Sequence, residues 1–593
     1  MLYTRNCWQF SIALQLPAEN LNQNIAEVKK ISFCLFLFLL YGCGRAQDQD
    51  CCPPALFSQV IAAVQDNHIR PLPIDDSLSA AVFHHFISQM EEEEGLLTAE
   101  EADQLSAYQF SIDDDMLNGT NLFLEAAFAL LSADGERKRK SKAEWYQALI
   151  NSYLAVNDYQ SSFLSPTEKA KWDAAYHRSL VGTGIRFDIT DTHPRIAEVF
   201  PDGPGWKTGR IKTGALLLGI STEDGGFIDF AGMPGEEVGS YLRGKPGSTA
   251  IIKVRQPGGE TEQVAITRER YALSRARAWV LEGQPGQPRV GYIRLPRFYA
   301  GEQGCAADVL ANLRYLNEEG VEGILFDVRD NQGGSSREAV ELIGYFLRGG
   351  PVMQARYADG RHRVLEDEDS TAQYSGPLIV LANENSSSAS ELMAATLQQC
   401  GRALIVGSQT YGKGTIQQFF ALGNNSHGQS YGDVKLTIGA FYAGKGYATQ
   451  YRGVIPDIAL PTENRYLPTG ERKVENALQF SHLPEFESSR DTASLEALRR
   501  KSLGRQEKSE YFQAVEKLAL KKKHGKEKDQ EQEAPAVRGS PGRRLGMIWE
   551  EQPSERLKAY WEDKVLTDYY LFESYLIMND YLELELKEQE GKG

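Results

Sequence analysis

The segment Asn383 to Leu397, NENSSSASELMAATL, sets four serines at positions 386, 387, 388 and 390 and runs directly into an apolar, helix-forming stretch. A serine at the mouth of a helix has two roles open to it. It can cap the helix: Ser388-x-x-Glu391 has capping-box spacing, and LMAATLQQC closes on Gly401. It can also be a nucleophile, because the unpaired N–H groups and partial positive field of a helix N-terminus suit a developing oxyanion. Taken alone the segment reads first as a cap, and the two roles do not exclude each other. A nucleophilic serine needs a base. None of the nine histidines stands in an HExxH pattern or beside an evident triad partner. Lys413, in QTYGKGTIQQF, lies between two glycines after the apolar run ALIVG. Burial there would strip hydration from the ammonium, lower its pKa and leave a neutral amine able to accept the serine proton. By local sequence alone Lys413 also reads as an exposed hairpin lysine. Gln417 is four residues on; in a strand it would share a face with Lys413 and could orient the amine, or be a surface glutamine.

A competing motif uses the same residues. Gly407 to Lys413 spells GxxxxGK, the opening of a phosphate-binding loop. Gly414 stands where a Ser or Thr should hold the metal, and TIQQFFAL reads as a strand rather than a helix. Nucleotide binding is set aside on both counts.

The elements that must position these residues follow from texture. Residues 54–175 show apolar positions at three- and four-residue spacing, with Thr98 and Glu101 offering a capping box, and form a helical N-terminal region. Residues 180–272 are short β-rich runs separated by Gly and Pro, with one helix in PGEEVGSYLRG; this suggests a peptide-binding domain that receives an extended chain end by strand addition. Residues 275–463 alternate apolar strands (RVGYIRL, GILFDVR, LIVLAN, ALIVG) with helices, an α/β core. Residues 464–593 are helical and charged, ending in an aromatic-rich helix that could pack on the core or on a partner. The fold class is therefore multidomain α+β.

Residues 1–46 are read as a signal segment: Lys29-Lys30 precede thirteen apolar or small residues, too few to span a bilayer. The long stretch before them places the true translation start in question. Leu40-Tyr41-Gly42-Cys43 makes Cys43 a lipidation candidate, with cleavage near Ala46 as the alternative. Export to the periplasm or cell envelope is expected either way. Cys305 and Cys400 are expected as buried free thiols, and no metal-ligand set is visible. The formal net charge of −17 argues against nucleic acid as a partner.

Four segments together, GILFDVRDNQGGSSREAVELIGYFL, SSSASELMAATLQQCGRALIVG, QTYGKGTIQ and YRGVIPDI, resemble in order and spacing the carboxyl-terminal processing peptidases, and most of all the tail-specific proteases. NDYQSSFLSP, GTGIRF through VAITRERYAL, and GYIRLPRFY extend the likeness to about residues 158–460. The resemblance implies a serine endopeptidase with a crotonase-like peptidase core and a PDZ-like domain at 180–272. Ser388 matches the nucleophile of the SASASE motif, Lys413 the base of TFGKG, and Gln417 a glutamine that orients the lysine in some members. The backbone N–H groups of Ala389 and Gly334 would hold the oxyanion. Gly182, Gly184 and Ile185 would form the carboxylate-binding loop for peptide C-termini. No cofactor is implied. Partners would be protein or peptide substrates with accessible C-termini, with an adaptor or activator left open and membrane contact through a lipid anchor alone. Ser387, Gln332, Gln399 and Ala215 depart from the pattern; Gln399 removes an acid often found eleven positions after the nucleophile. The alternative reading is a catalytically inactive PDZ-containing scaffold. An acyl-CoA enzyme of crotonase type is a distant third, lacking a visible CoA site.

Overall fold

The computed structural model describes residues 54–590 except 93–96, 133–140, 177–178, 191, 202, 222–224, 273–274, 302–303, 370, 426–427, 475, 484–492, 525–544 and 550–554. The signal segment and Cys43 lie outside the described residues.

Helices lead. α1 (Pro54–Asn67), α2 (Asp76–Glu92), α3 (Ala99–Leu105), α4 (Ile112–Asn118), α5 (Leu122–Ser132) and α6 (Lys142–Asn157) bury a cluster around Phe86, Phe123, Trp145 and Tyr153. Thr98 and Glu101 form the expected capping box at α3. Helices alone do not close this cluster; Leu422, Val434 and Leu436 from a neighbouring sheet complete it. β1 (Ser162–Leu164) and α7 (Pro166–Tyr176) lead out of the region.

A small β unit follows. It holds β2 (Ser179–Gly182), β3 (Ile185–Asp188), β4 (Arg195–Val199), α8 (Pro204–Lys207), β5 (Leu216–Ser221), β6 (Phe227–Asp229), α9 (Gly235–Leu242), β7 (Thr249–Arg255), β8 (Thr261–Thr267) and β9 (Glu269–Ala272). Its six-stranded sheet runs β3-β4-β5-β7-β8 with β6 beside β5, so β3 is an edge strand. β2 and β9 pair antiparallel at the base of the unit.

The core comprises β10 (Arg277–Glu282), β11 (Arg289–Arg294), α10 (Cys305–Glu318), β12 (Gly323–Asp327), α11 (Ser336–Gly344), β13 (Gly350–Tyr357), β14 (His362–Asp367), β15 (Leu378–Ala382), α12 (Ala389–Gln399), β16 (Leu404–Gly407), β17 (Thr415–Ala421), β18 (Asp433–Ala443) and β19 (Ile458–Ala459). β11, β12, β15, β16 and β19 are parallel neighbours. β12 and β15 are buried at every position, which is why both read as unbroken apolar runs rather than alternating ones. A second sheet runs β1-β18-β13-β14, with β17 on β18. α12 lies between the two sheets with nine buried residues.

The C-terminal region packs on the core. It contains α13 (Ala493–Gln506), α14 (Glu510–Lys523), β20 (Gly546–Ile548), α15 (Glu555–Leu566) and α16 (Tyr569–Glu590). The aromatic-rich stretch expected as one helix is two, broken at Asp568, whose carboxylate accepts from the Leu571 N–H at 3.0 Å. β20 extends the parallel sheet by pairing antiparallel with β10. α16 covers the face of that sheet opposite α10–α12, burying Tyr575, Ile577 and Met578. Cys305 is a buried free thiol as expected; Cys400 is exposed, because it caps α12 at its outer end.

Met578 is fully buried over Gly323, whereas Leu586 on the same helix is 59% exposed. Met578→Ala should lower unfolding stability by about 3 kcal/mol and Leu586→Ala by less than about 0.5 kcal/mol, read as shifts in urea midpoint at constant slope.

Candidate active site

The four serines divide the work of one turn. The Ser386 hydroxyl donates to the Val328 carbonyl at 2.8 Å, and Ser390 to that of Asn331 at 2.8 Å. The Ser387 N–H donates to the Asn331 carbonyl at 3.0 Å. These three are buried and stitch the turn before α12 to the loop after β12. Ser388 is the half-buried one, and it faces a cavity of about 1230 Å³ between the β unit and the core. Its backbone sits at φ 57°, ψ −113°. For a non-glycine residue this costs about 1–3 kcal/mol and persists where the surroundings enforce it.

The double glycine at 333–334 follows from close approach. A Cβ on Gly333 would stand 2.8 Å from the Ser388 Cβ and 3.0 Å from the Ala389 nitrogen; one on Gly334 would meet the Phe298 carbonyl oxygen at 2.1 Å. The Ala389 and Gly334 N–H groups donate to no described residue, and both residues line the cavity beside Ser388. Gln399 is at the far end of α12, about 16 Å along the helix at 1.5 Å per residue. It does not line the cavity, so an acid at that position would not touch the Ser388 hydroxyl.

Lys413 lines the same cavity. Burial pulls its amine down to about 8, helped by the like charge of Lys435 on β18 and opposed by Glu471, Asp158 and Glu391. Among the described residues no hydrogen bond joins Lys413 Nζ to Ser388 Oγ. Gln417 lines the cavity too, but its amide nitrogen donates to the Thr415 hydroxyl at 2.7 Å and to Thr437 at 3.2 Å. Lys413 and Gln417 thus face one cavity, though not through a regular strand alternation. Lys413 precedes β17, and a bulge falls between Ile416 and Gln417.

One carboxylate ties the two halves together. Glu391, fully buried, accepts the N–H of Ser388 at 2.9 Å and of Lys413 at 2.8 Å on one oxygen. On the other it accepts the Gly412 N–H at 2.7 Å and the Thr410 hydroxyl at 2.5 Å. Burial pushes Glu391 up to about 7 while these four donors pull it back. Sequence spacing identified Glu391 as a cap; its reach to the lysine loop, 22 residues on, had no local signal.

Behind the lysine, NDYQSS forms a clasp. Asp158 accepts from His68 at 2.8 Å and from the Ser161 hydroxyl at 2.6 Å, all three buried. Tyr159 donates to buried Glu471 at 2.6 Å, and the Glu471 N–H donates to the Tyr411 carbonyl at 3.0 Å. The N-terminal helices thus brace the loop that holds Lys413. In the β unit, Gly182 ends β2, Gly184 has φ 72° in the turn, and Ile185 starts edge strand β3. Among the described residues no cluster of three or more His, Cys, Asp or Glu could hold a metal ion.

Around one cavity of a mixed helix-and-sheet fold lie a strained serine at a helix mouth, backbone N–H groups with no partner among the described residues, and an amine whose pKa burial lowers. Residues 289–460 match the model for peptidase family S41, and residues 60–178 that for the tail specific protease N-terminal domain. A tail-specific protease of Haemophilus influenzae is 31% identical over 341 residues, covering 57% of this chain and 49% of its own length. A carboxyl-terminal-processing protease of Picosynechococcus sp. is 27% identical over 332 residues, 55% of this chain and 76% of that one. Among solved structures, the PDZ domain of a carboxy-terminal protease from Vibrio cholerae in complex with peptide matches 16% of this chain and 99% of that domain, at 24% identity and TM-score 0.15. Two stretches of the chain thus match peptidase family S41 and the tail specific protease N-terminal domain, and the relatives it resembles are tail-specific and carboxyl-terminal-processing proteases. The match spans about half the length of the Haemophilus relative.

Glu391→Gln keeps the volume but leaves one acceptor oxygen for four donors. It should reduce peptide cleavage about 100-fold, as misplacement on the order of 1 Å does, with helical content retained by circular dichroism. Turnover equal to that of the unchanged protein would contradict the bridging role.

Proposed function

We propose that the protein is an exported endopeptidase that captures the C-terminal end of protein substrates on a PDZ domain and cleaves them through Ser388 and Lys413. The observation that carries this reading is the burial of the Lys413 amine in the cavity that Ser388 faces, with the Ala389 and Gly334 N–H groups unengaged beside the hydroxyl. The open edge of β3, starting at Ile185 after Gly182 and Gly184, supports capture by strand addition.

Neutral Lys413 takes the Ser388 proton as Oγ bonds the scissile carbonyl carbon. The oxyanion that forms is held by the Ala389 and Gly334 N–H groups. Lys413 then protonates the leaving amine as the C–N bond breaks, giving the acyl-enzyme. Water, deprotonated by the same amine, releases the carboxylate product and restores the hydroxyl. Productive alignment requires the serine and lysine side chains to turn toward each other, as catalytic hydrogen bonds commonly tighten only with substrate in place. Gln417 is the third member, its carboxamide oxygen available to the amine once the amide is held by Thr415 and Thr437. Among the described residues no helix is long and apolar enough to cross a membrane; envelope attachment would fall to Cys43.

The missing bond between Ser388 and Lys413 favours the alternative, an inactive PDZ scaffold. Incubation with an unfolded protein separates the two. The active reading expects fragments from the unchanged protein and none from Ser388→Ala, whose fold should be intact; cleavage by Ser388→Ala at the full rate would end the assignment.

The pH dependence has a definite sign. Lys413, held at about 8, is mostly protonated below that pH and neutral above it. Plots of kcat/KM should therefore rise through about pH 8 and level off above. Lys435→Met removes the neighbouring like charge, raises the Lys413 pKa and should move this limb to higher pH. An acidic optimum would contradict a lysine base.

A further inference from the structure

β14 (His362–Asp367) is the outer strand of the second sheet, which runs β1-β18-β13-β14, so one of its edges is open. The hairpin that joins it to β13 sets which backbone groups point outward. The Gly360 N–H, at φ 80°, donates to the Tyr357 carbonyl at 3.1 Å, and the Tyr357 N–H donates to the Arg361 carbonyl at 3.0 Å. From that closing pair the ladder alternates, and Arg363 opposite Ala355 and Leu365 opposite Met353 fall in its hydrogen-bonded pairs. The N–H and C=O groups of His362 and Val364 therefore point away from β13. Among the described residues no backbone group pairs with them.

An open edge is commonly blunted by charge, and His362, Arg363, Glu366 and Asp367 do so at both ends of this strand. Its middle is different: Val364 and Leu365 are 44% and 41% exposed. Arg363 and Leu365 lie on a wall of the cavity that Ser388 faces. Their cross-strand neighbours Ala355 and Met353, and Phe441 opposite Ala355 on β18, line the same cavity. α12 joins this sheet directly, since the Thr396 hydroxyl donates to the Val352 carbonyl on β13 at 2.9 Å. Leu392, whose N–H donates to the Ser388 carbonyl at 2.9 Å, also lines the cavity. The wall thus leads from the serine turn, over α12 and β13, to the open edge.

We propose that the edge of β14 binds the polypeptide being cleaved as an added strand, along the stretch that leads away from the bond cut at Ser388. His362 and Val364 each exchange an N–H and a C=O with one substrate residue, so alternate residues of the substrate are held. Binding of this kind reads the main chain rather than a sequence and requires an extended substrate, so the site takes unfolded segments. The inference rests on the peptidase reading of this cavity. It is distinct from capture on β3, which holds the chain end.

The test uses the full chain and an internally quenched peptide with an amidated C-terminus, which removes the carboxylate that the β3 site would hold. Each backbone N–H of the peptide is replaced in turn by N-methyl, which deletes a donor and blocks close approach. The readout is kcat/KM for each methylated peptide relative to its parent. On one side of the bond cleaved, beyond its immediate neighbours, the loss should alternate: about tenfold at every second residue, mainly through KM, and little between. Val364→Pro puts a ring carbon in place of one outward N–H and spares the ladder to β13. In this variant kcat/KM for the parent peptide should fall about tenfold, and the alternation should disappear. A flat scan, or alternation that survives in folded Val364→Pro, overturns the proposal. Where circular dichroism shows that this variant does not fold, the scan on the unchanged protein decides alone. A flat scan together with a dimer, seen by sedimentation, that Val364→Pro dissociates assigns the edge to a second copy of this chain instead. If the unchanged protein cleaves no peptide, the peptidase reading fails. The same scan read by fluorescence anisotropy on Ser388→Ala protein then decides the edge: alternating loss of affinity supports it, and uniform affinity overturns it.

Discussion

The Glu391 carboxylate takes one N–H from the serine turn and one from the lysine loop on the same oxygen, in a site from which water is excluded. A buried carboxylate that loses its donors carries the full cost of its desolvation, so each donor is held where the charge needs it. The Ser388 turn and the Lys413 loop, from different strand ends of the parallel sheet, therefore share one fixed reference point. The strained backbone of Ser388 is the local consequence. The residue is pulled by its own N–H toward Glu391 while Ser386, Ser387 and Ser390 anchor the turn on the other side.

The charge state of Lys413 is a property of the assembly. Removal from water lowers its pKa, and a second lysine on β18 lowers it further, while Glu471 and Asp158 act the other way. Both acids come from outside the peptidase core, one beside the N-terminal helices and one from the segment after β19. Each is itself tied up by hydrogen bonds from His68, Ser161, Tyr159 and neighbours. Anchored acids at a distance steady the amine without forming an ion pair that would keep it protonated. The helical region thus acts on the site through electrostatics and packing.

The C-terminal helices act from the opposite side. α15 contacts the β unit through Tyr560, at Trp206 and Glu198, and the core through Trp561. Two residues past its end, Asp568 meets Arg329 in the loop that carries the glycine pair. A single short stretch therefore touches the β unit, the cavity wall and the loop of Gly333 and Gly334. The arrangement gives the tail a structural role that charge-rich composition alone disguises.

The alternation of strands and helices and the continuous apolar runs of β12 and β15 were legible in the sequence, because they depend on local spacing; Ser388, Lys413 and Gly334, singled out from short motifs, line one cavity. Gln417, picked out by its spacing from Lys413, lines the same cavity, while the hydrogen bonds of its amide to Thr415 and Thr437 had no local signal. Glu391 was visible only as a cap. Its second set of partners lies across the sheet, and nothing in a linear pattern encodes which loop a buried carboxylate will reach. The open edge of β14 carried no signal at all. A strand's outer backbone groups are paired or left free by the neighbours that the sheet assigns it, and β14 has a neighbour on one side alone. Chemistry that depends on neighbours in the chain could be read from the residues; the charge state of the amine and the shape of the cavity came only with packing, because burial and Coulomb fields depend on distance in space.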